Sequence, residues 1–171
     1  GLGIRFLKHV ARTRRLLHIL DVQPIDGSDP VKNAEIILNE LQKFSPELAK
    51  LPQVLILNKI DQVPEEEQNA LCTHIVAELG WTGIVFRTST LTGDGVGDVV
   101  FHLMNEIDLE KELEEQNPDF AEEQRQRFAR LEAEVRVNTE EQKEAYRAMR
   151  KAQREGVLHD DEDDFDDDDD F

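Results

Sequence analysis

The sequence predicts an α/β fold: a parallel sheet with crossover helices, then a charged helical extension and a disordered acidic tail. Two observations carry this. Short apolar runs occur at Leu16–Val22, Val54–Leu57 and Ile84–Phe86, spaced by about 30 residues, the length of a βαβ unit. Helical periodicity fills the intervals between them, and alternating strand and helix signals imply parallel strands. None of the three runs alternates cleanly, so both faces of each strand are expected to be covered.

An opening helix is expected at about Ile4 to Arg14, before the first strand. After that strand, Asp29 suits a helix cap and Pro30 a first helical position. Ala34, Ile37, Leu38 and Leu41 then share one face. The second strand is Val54–Leu57. Behind Pro64, Glu65 to Glu67 suit the positive end of a helix. Leu71, Ile75 and Leu79 follow at four-residue steps, and Gly80 ends the pattern. The third strand, Ile84–Phe86, leads past Gly95 into Val99, Val100, Leu103, Met104 and Ile107. Three strands make a thin sheet, about half of a nucleotide-binding α/β domain, so an open edge is expected.

Asn117-Pro118 interrupts the chain. Beyond it Phe128, Leu131, Val135, Asn138, Gln142, Ala145, Met149 and Ala152 follow a heptad-like seam weakened by polar positions. Thr139-Glu140-Glu141-Gln142 reads as a capping box, so two helices are expected there. A solvated pair of salt-laced helices without a partner fits the pattern equally well.

The 171 residues carry 20 basic and 38 acidic side chains, a net charge of −18. Ten of the acids lie within Asp160–Asp170, and the remaining chain stands at −8. Such a run has too much repulsion and too little apolar surface to fold. The division expected is a compact domain over 1–109, a charged helical extension over 110–158 and an acidic tail over 159–171. An acidic excess argues against broad binding of phosphate backbones through net charge. One cysteine, Cys72, cannot form an internal disulfide, which fits a reducing cytoplasm. No run approaches the ~20 apolar residues of a membrane span, and no signal-peptide pattern is visible. The chain starts Gly1-Leu2-Gly3 without Met and reads as a piece of a longer protein.

The sharpest chemical signal is Asn58-Lys59-Ile60-Asp61, directly after the second strand. It falls at the carboxyl end of a central strand, where open α/β sheets bind ligands. A carboxylate at Asp61 offers two acceptors to the two adjacent donors of guanine, the ring N1–H and the exocyclic amino group. Adenine presents an acceptor at the first of these and leaves the carboxylate unpaired, a penalty on the order of a few kcal/mol. The aliphatic stem of Lys59 can lie along a purine face, and Asn58 has donor and acceptor for both base edge and loop. The competing reading is a plain polar turn after a strand. A second loop, Thr88-Ser89-Thr90-Leu91-Thr92-Gly93-Asp94-Gly95, follows the third strand onto the same edge, and its backbone N–H groups can donate to the guanine carbonyl. Alone, such Ser/Thr/Gly loops usually only turn the chain.

Other candidates have blander readings. Asp21, in Asp21-Val22-Gln23-Pro24, suits a turn or helix cap better than a metal ligand. His18, inside an apolar strand, reads as a satisfied core histidine. Arg5, Lys8, Arg12, Arg14 and Arg15 make a basic face, usually a solvated one. Cys72 has no partner pattern for a nucleophile or zinc site. The chain contains no Gly-x-x-x-x-Gly-Lys-Ser/Thr run and no Asp-x-x-Gly after an early strand.

These pieces resemble the Obg GTPases. Gly1-Leu2-Gly3-Ile4-Arg5-Phe6-Leu7-Lys8-His9 resembles the stretch just after the family's second switch. Leu17-His18-Ile19-Leu20-Asp21-Val22, Pro24-Ile25-Asp26-Gly27-Ser28-Asp29-Pro30 and Ile37-Leu38-Asn39-Glu40-Leu41 continue the likeness, with Asn58-Lys59-Ile60-Asp61 and Ser89-Thr90-Leu91-Thr92-Gly93. It covers about residues 1–108, and an acidic C-terminal extension is also typical of bacterial members. The resemblance implies the C-terminal half of a P-loop GTPase domain. It implies a cytoplasmic protein that binds GTP and GDP and hydrolyses GTP slowly with Mg2+. The family acts on the large ribosomal subunit, its rRNA and ribosomal proteins, in assembly and stress control, and no membrane contact is implied. By carry-over Asn58, Lys59, Ile60 and Asp61 form the fourth nucleotide-binding box, and Ser89, Thr90 and Leu91 the fifth, with Thr90 where the family usually has Ala. The phosphate loop, both switches and the magnesium ligands have no positions in this sequence, so it carries the guanine-recognition half only and by itself is not expected to hydrolyse GTP. A monomer is expected. The alternative is a non-catalytic interaction module whose helical extension and acidic tail bind a basic ribosomal partner.

Overall fold

A computed structural model describes residues 13–154, excepting the side chains of Gln142 and Arg154. The described elements run β1 (Leu16–Asp21), α1 (Pro30–Phe44), α2 (Pro46–Ala49), β2 (Gln53–Asn58), a 3-10 turn (Ile60–Gln62), α3 (Glu65–Glu78), β3 (Ile84–Thr88), α4 (Val96–Gln116) and α5 (Pro118–Arg154). The expected opening helix falls almost wholly outside the described residues, and Thr13 and Arg14 at its end are not helical.

The three strands are parallel in the order β1-β2-β3. Successive side chains on a strand point to opposite faces, and the packing sorts them cleanly. Leu20, Leu55 and Leu57 join Ile75 of α3, with Val31 and Ala34 of α1 packed against them. Val54 and Ile56 face Val99 of α4, with Phe86 and Leu103 alongside. The crossover helices α1 and α3 therefore cover one face and α4 the other. Only β2 is buried on both. Leu17 and Ile19 of β1 are 41% and 66% exposed, because α4 sits over β2 and β3, so the expectation that every strand is covered on both faces fails at β1.

The helix ends are capped as the sequence indicates. The Asp29 carboxylate accepts the Val31 N–H at 2.9 Å, with Pro30 next in line. Gly80 sits at φ 57°. There Gly80 N–H donates to Ala77 and Trp81 N–H to Val76, each at 3.0 Å, which satisfies the last carbonyls of α3. Ser45 joins two helices: its N–H closes α1 on Leu41, and its hydroxyl accepts the Leu48 N–H at the start of α2. The short helix α2 has no counterpart in the sequence reading.

The extension departs most from expectation. It is one continuous helix, Pro118–Arg154. Thr139 is no helix cap: its hydroxyl donates 2.6 Å to the Val135 carbonyl one turn back, and the residue is buried. Buried against the core, a threonine satisfies itself this way and the helix runs through. Nor does α5 lack a partner. Leu131 and Val135 complete a cluster with Leu41, Phe44, Leu48 and Leu51. Asn138 donates to the Phe44 carbonyl and Glu134 accepts the Glu47 N–H at 3.3 Å. Of the seam residues, Leu131, Val135 and Asn138 thus pack on α1 and α2, while Ala145 and Met149 are exposed.

Arg14 and Arg15 are not a solvated basic face. Arg14 reaches Glu114 at 2.6 Å and Glu110 at 3.7 Å, while Arg15 reaches Glu106 at 3.1 Å and Glu110 at 3.5 Å. Glu110 also approaches Arg127 of α5 at 3.9 Å. These acidic partners, chiefly Glu114, hold the Arg14 guanidinium above its ordinary pKa. Arg5, Lys8 and Arg12 lie outside the described residues.

Candidate functional site

The carboxyl ends of the three strands meet on one register line, Asp21 beside Asn58 beside Thr88. This line follows from equal strand phase in a parallel sheet, and it gathers the loops after each strand at one edge.

Asn58 ties that edge together. Its Oδ1 accepts the Thr90 N–H at 3.1 Å and the Thr88 hydroxyl at 3.2 Å, and its amide donates 3.5 Å to the Thr90 hydroxyl. The fourth and fifth candidate boxes are thereby one connected unit.

Lys59 turns the chain. Its φ is 66°, and it is the only non-glycine residue with positive φ among those described. That backbone is sterically disfavoured by roughly 1–2 kcal/mol for an L-residue. Its ammonium lies 2.5 Å from Asp21 Oδ2, with both side chains about one-third exposed. The other Asp21 oxygen accepts the Gln23 N–H at 3.0 Å. Asp21 is thus a turn former and ion-pair partner, and among the described residues no three His, Cys, Asp or Glu side chains converge as a metal cage.

Ile60 is buried and anchors the turn, while Asp61 stands exposed at its tip. The amide of Gln68 donates to the Ile60 and Val63 carbonyls at 3.1 and 3.0 Å, bracing the turn from α3. The sequence reading did not single out Gln68; its place in the first turn of a helix just after the motif was the available signal.

The second loop is built around a fully buried Ser89. Its hydroxyl accepts the Thr92 N–H at 3.1 Å, its carbonyl the Gly93 N–H at 2.8 Å, and its own N–H donates to Asp94 at 3.0 Å. Ser89 is therefore scaffold, whereas Thr90 and Leu91 are exposed. Gly95 has φ 68°, and a Cβ there would lie 2.1 Å from the Arg87 carbonyl oxygen. Glycine alone fits that approach.

An open groove of about 810 Å³ runs beside β1 and shares Asp21 and Lys59 with the site. His18 lines it, with Nε2 2.9 Å from Gln53 Oε1 and its ring edge-on to Trp81 at 5.6 Å. Burial lowers the His18 pKa, and the Gln53 contact opposes this only in part. Both facts fit a packed histidine. Cys72 is buried and its thiol is pushed up by desolvation, an unreactive environment.

Among the described residues no helix is long and apolar enough to cross a membrane. No protein-family model matches the chain. Over 151 residues the sequence is 77% identical to the GTPase Obg of Psychrobacter sp. (strain PRwf-1), a match covering 88% of this chain and 38% of that protein. This identity joins the strand-end motifs in making the chain similar to part of an Obg GTPase, and it spans about two-fifths of the length of the curated relative it matches.

Proposed function

We propose that this chain supplies the guanine-recognising half of an Obg-type protein that binds GTP and GDP. The observation that carries the reading is the Asn58 bridge to Thr90, which fixes the two loops as one unit, while Asp61, three residues after Asn58, stays exposed. In this reading Asp61 accepts the N1–H and exocyclic amino group of guanine. The Lys59 stem, held by Asp21, lies against the purine face. Asn58 and Thr90 set the position of the loop backbone, and the exposed Leu91 closes its outer side. Ile60 and Ser89 act from inside, as buried anchors.

The finer function follows the family. The whole protein hydrolyses GTP slowly and works in the cytoplasm on assembly of the large ribosomal subunit and in stress control. Its rRNA and ribosomal proteins are the partners. Magnesium and the phosphates are held by parts of the protein outside this sequence, since positioning and charge stabilisation at the phosphates supply the catalysis of phosphoryl transfer.

The test is Asp61→Asn in the intact protein. An amide presents a donor where guanine also donates, so GTP affinity falls by roughly 100-fold, about 3 kcal/mol. Xanthine nucleotide, whose exocyclic carbonyl pairs with the new amide donor, gains. An unchanged GTP dissociation constant and base preference would remove Asp61 from the site.

A further inference from the structure

The far half of α5 carries a basic stripe that neither the core nor the nucleotide edge uses. Arg136, Lys143, Arg147, Arg150, Lys151 and Arg154 follow at steps of seven, four, three, one and three residues. With about 100° of rotation per residue, all six positions fall within an arc of roughly 100°. This arc lies away from Leu131 and Val135, which face the core. Arg136, Lys143, Arg147, Arg150 and Lys151 are exposed, and Arg150 stacks over the Tyr146 ring at 5.6 Å. Between Arg136 and Arg154 there are six basic residues and three acids, Glu140, Glu141 and Glu144, of which only Glu140 falls inside the arc, so the face carries a clear positive excess in a chain that is strongly acidic as a whole.

Five residues, Gly156 among them, separate Arg154 from the ten acidic side chains of Asp160–Asp170. The stripe is about 27 Å long at 1.5 Å per residue. Eleven extended residues span up to about 36 Å, so the run is long enough to lie along the whole stripe. A short tether keeps the two at millimolar effective concentration, far above what a separate chain supplies. We propose that the acidic run Asp160–Asp170 lies along the basic face of α5, from Arg154 toward Arg136, and covers it electrostatically. The contact needs no ordered conformation of the tail, since attraction between many exposed charges demands proximity rather than fixed geometry. It keeps the stripe from collecting phosphate backbones without selectivity.

The test attaches a nitroxide spin label at Phe171→Cys in the intact protein. The label is directed to position 171, because Cys72 is buried. At ~0.1 M salt, backbone amide signals from 136 to 154 broaden. Near 1 M salt, where the screening length is about 3 Å, they recover. The combined variant K143Q, R147Q, R150Q and K151Q keeps helix propensity and abolishes the broadening at low salt, while its spectrum reports that the helix persists. The proposal is overturned by sharp α5 signals at low salt, by broadening around Arg14 and Arg15 instead, or by broadening that survives the four substitutions.

Discussion

The Asn58 side-chain oxygen accepts the Thr90 backbone N–H at 3.1 Å across 32 residues of sequence. The same oxygen takes the Thr88 hydroxyl at 3.2 Å. Asn58→Ala removes both bonds and leaves the half-buried β2 end unable to hold the loop. The expected cost is about 2 kcal/mol in stability, at about 1 kcal/mol per bond. Faster hydrogen exchange at the Thr90 amide, with exchange at Ile56 little changed, localises the effect to the loop.

Gly95→Ala meets a wall. The new methyl would stand 2.1 Å from a backbone oxygen at a residue with φ 68°. Left-handed strain of ~1 kcal/mol and overpacking of ~1–3 kcal/mol add to about 3 kcal/mol. Denaturant unfolding should show a lower midpoint with an unchanged slope. Gly93→Ala, with open space around its Cβ, should cost only the strain part.

Leu131→Ala tests the docking of α5. Leu131 is 1% exposed and packs with Phe44 and Leu48. Truncation in such a cluster costs about 2–5 kcal/mol, read from urea unfolding. Met149→Ala, in the exposed half of the same helix, should change stability by less than about 0.5 kcal/mol.

His18 gives stability a pH dependence of known sign. Burial disfavours its imidazolium, so its pKa in the folded chain lies below the ordinary 6.5. The unfolded chain therefore binds the proton first as pH falls, and acid shifts the balance toward unfolding. The His18 contribution is complete above pH ~6.5 and declines below it. His18→Gln should flatten the stability profile between about pH 5 and 7, measured as the melting temperature across that range.

Much of this was readable in the residues. Val54 to Leu57 announced a buried strand because both neighbours and both faces of β2 are apolar. Asp29-Pro30 and Gly80 announced helix ends because their chemistry is local. The site motif was legible for the same reason: Asn58 to Asp61 are adjacent in sequence, so the strand exit and its turn can be seen together. What escaped depends on contacts between distant segments. Thr139 looked like a cap because a local pattern does not say whether a hydroxyl will be buried, as this one is. Glu110 gives no hint that it faces Arg14, Arg15 and Arg127. Gly95 was marked only as a loop residue, because its closeness to Arg87 belongs to the folded strand.

The anchoring of α5 near its middle makes the helix a lever. Leu131 to Thr139 form the fulcrum, and 15 residues beyond it reach Arg154, about 22 Å further on. A tilt of about 5° at Phe44 would swing that tip by about 2 Å, by the geometry of a rigid rod. Small adjustments of α1, whose first turn follows the loop after Asp21, are thereby magnified at the Arg154 tip.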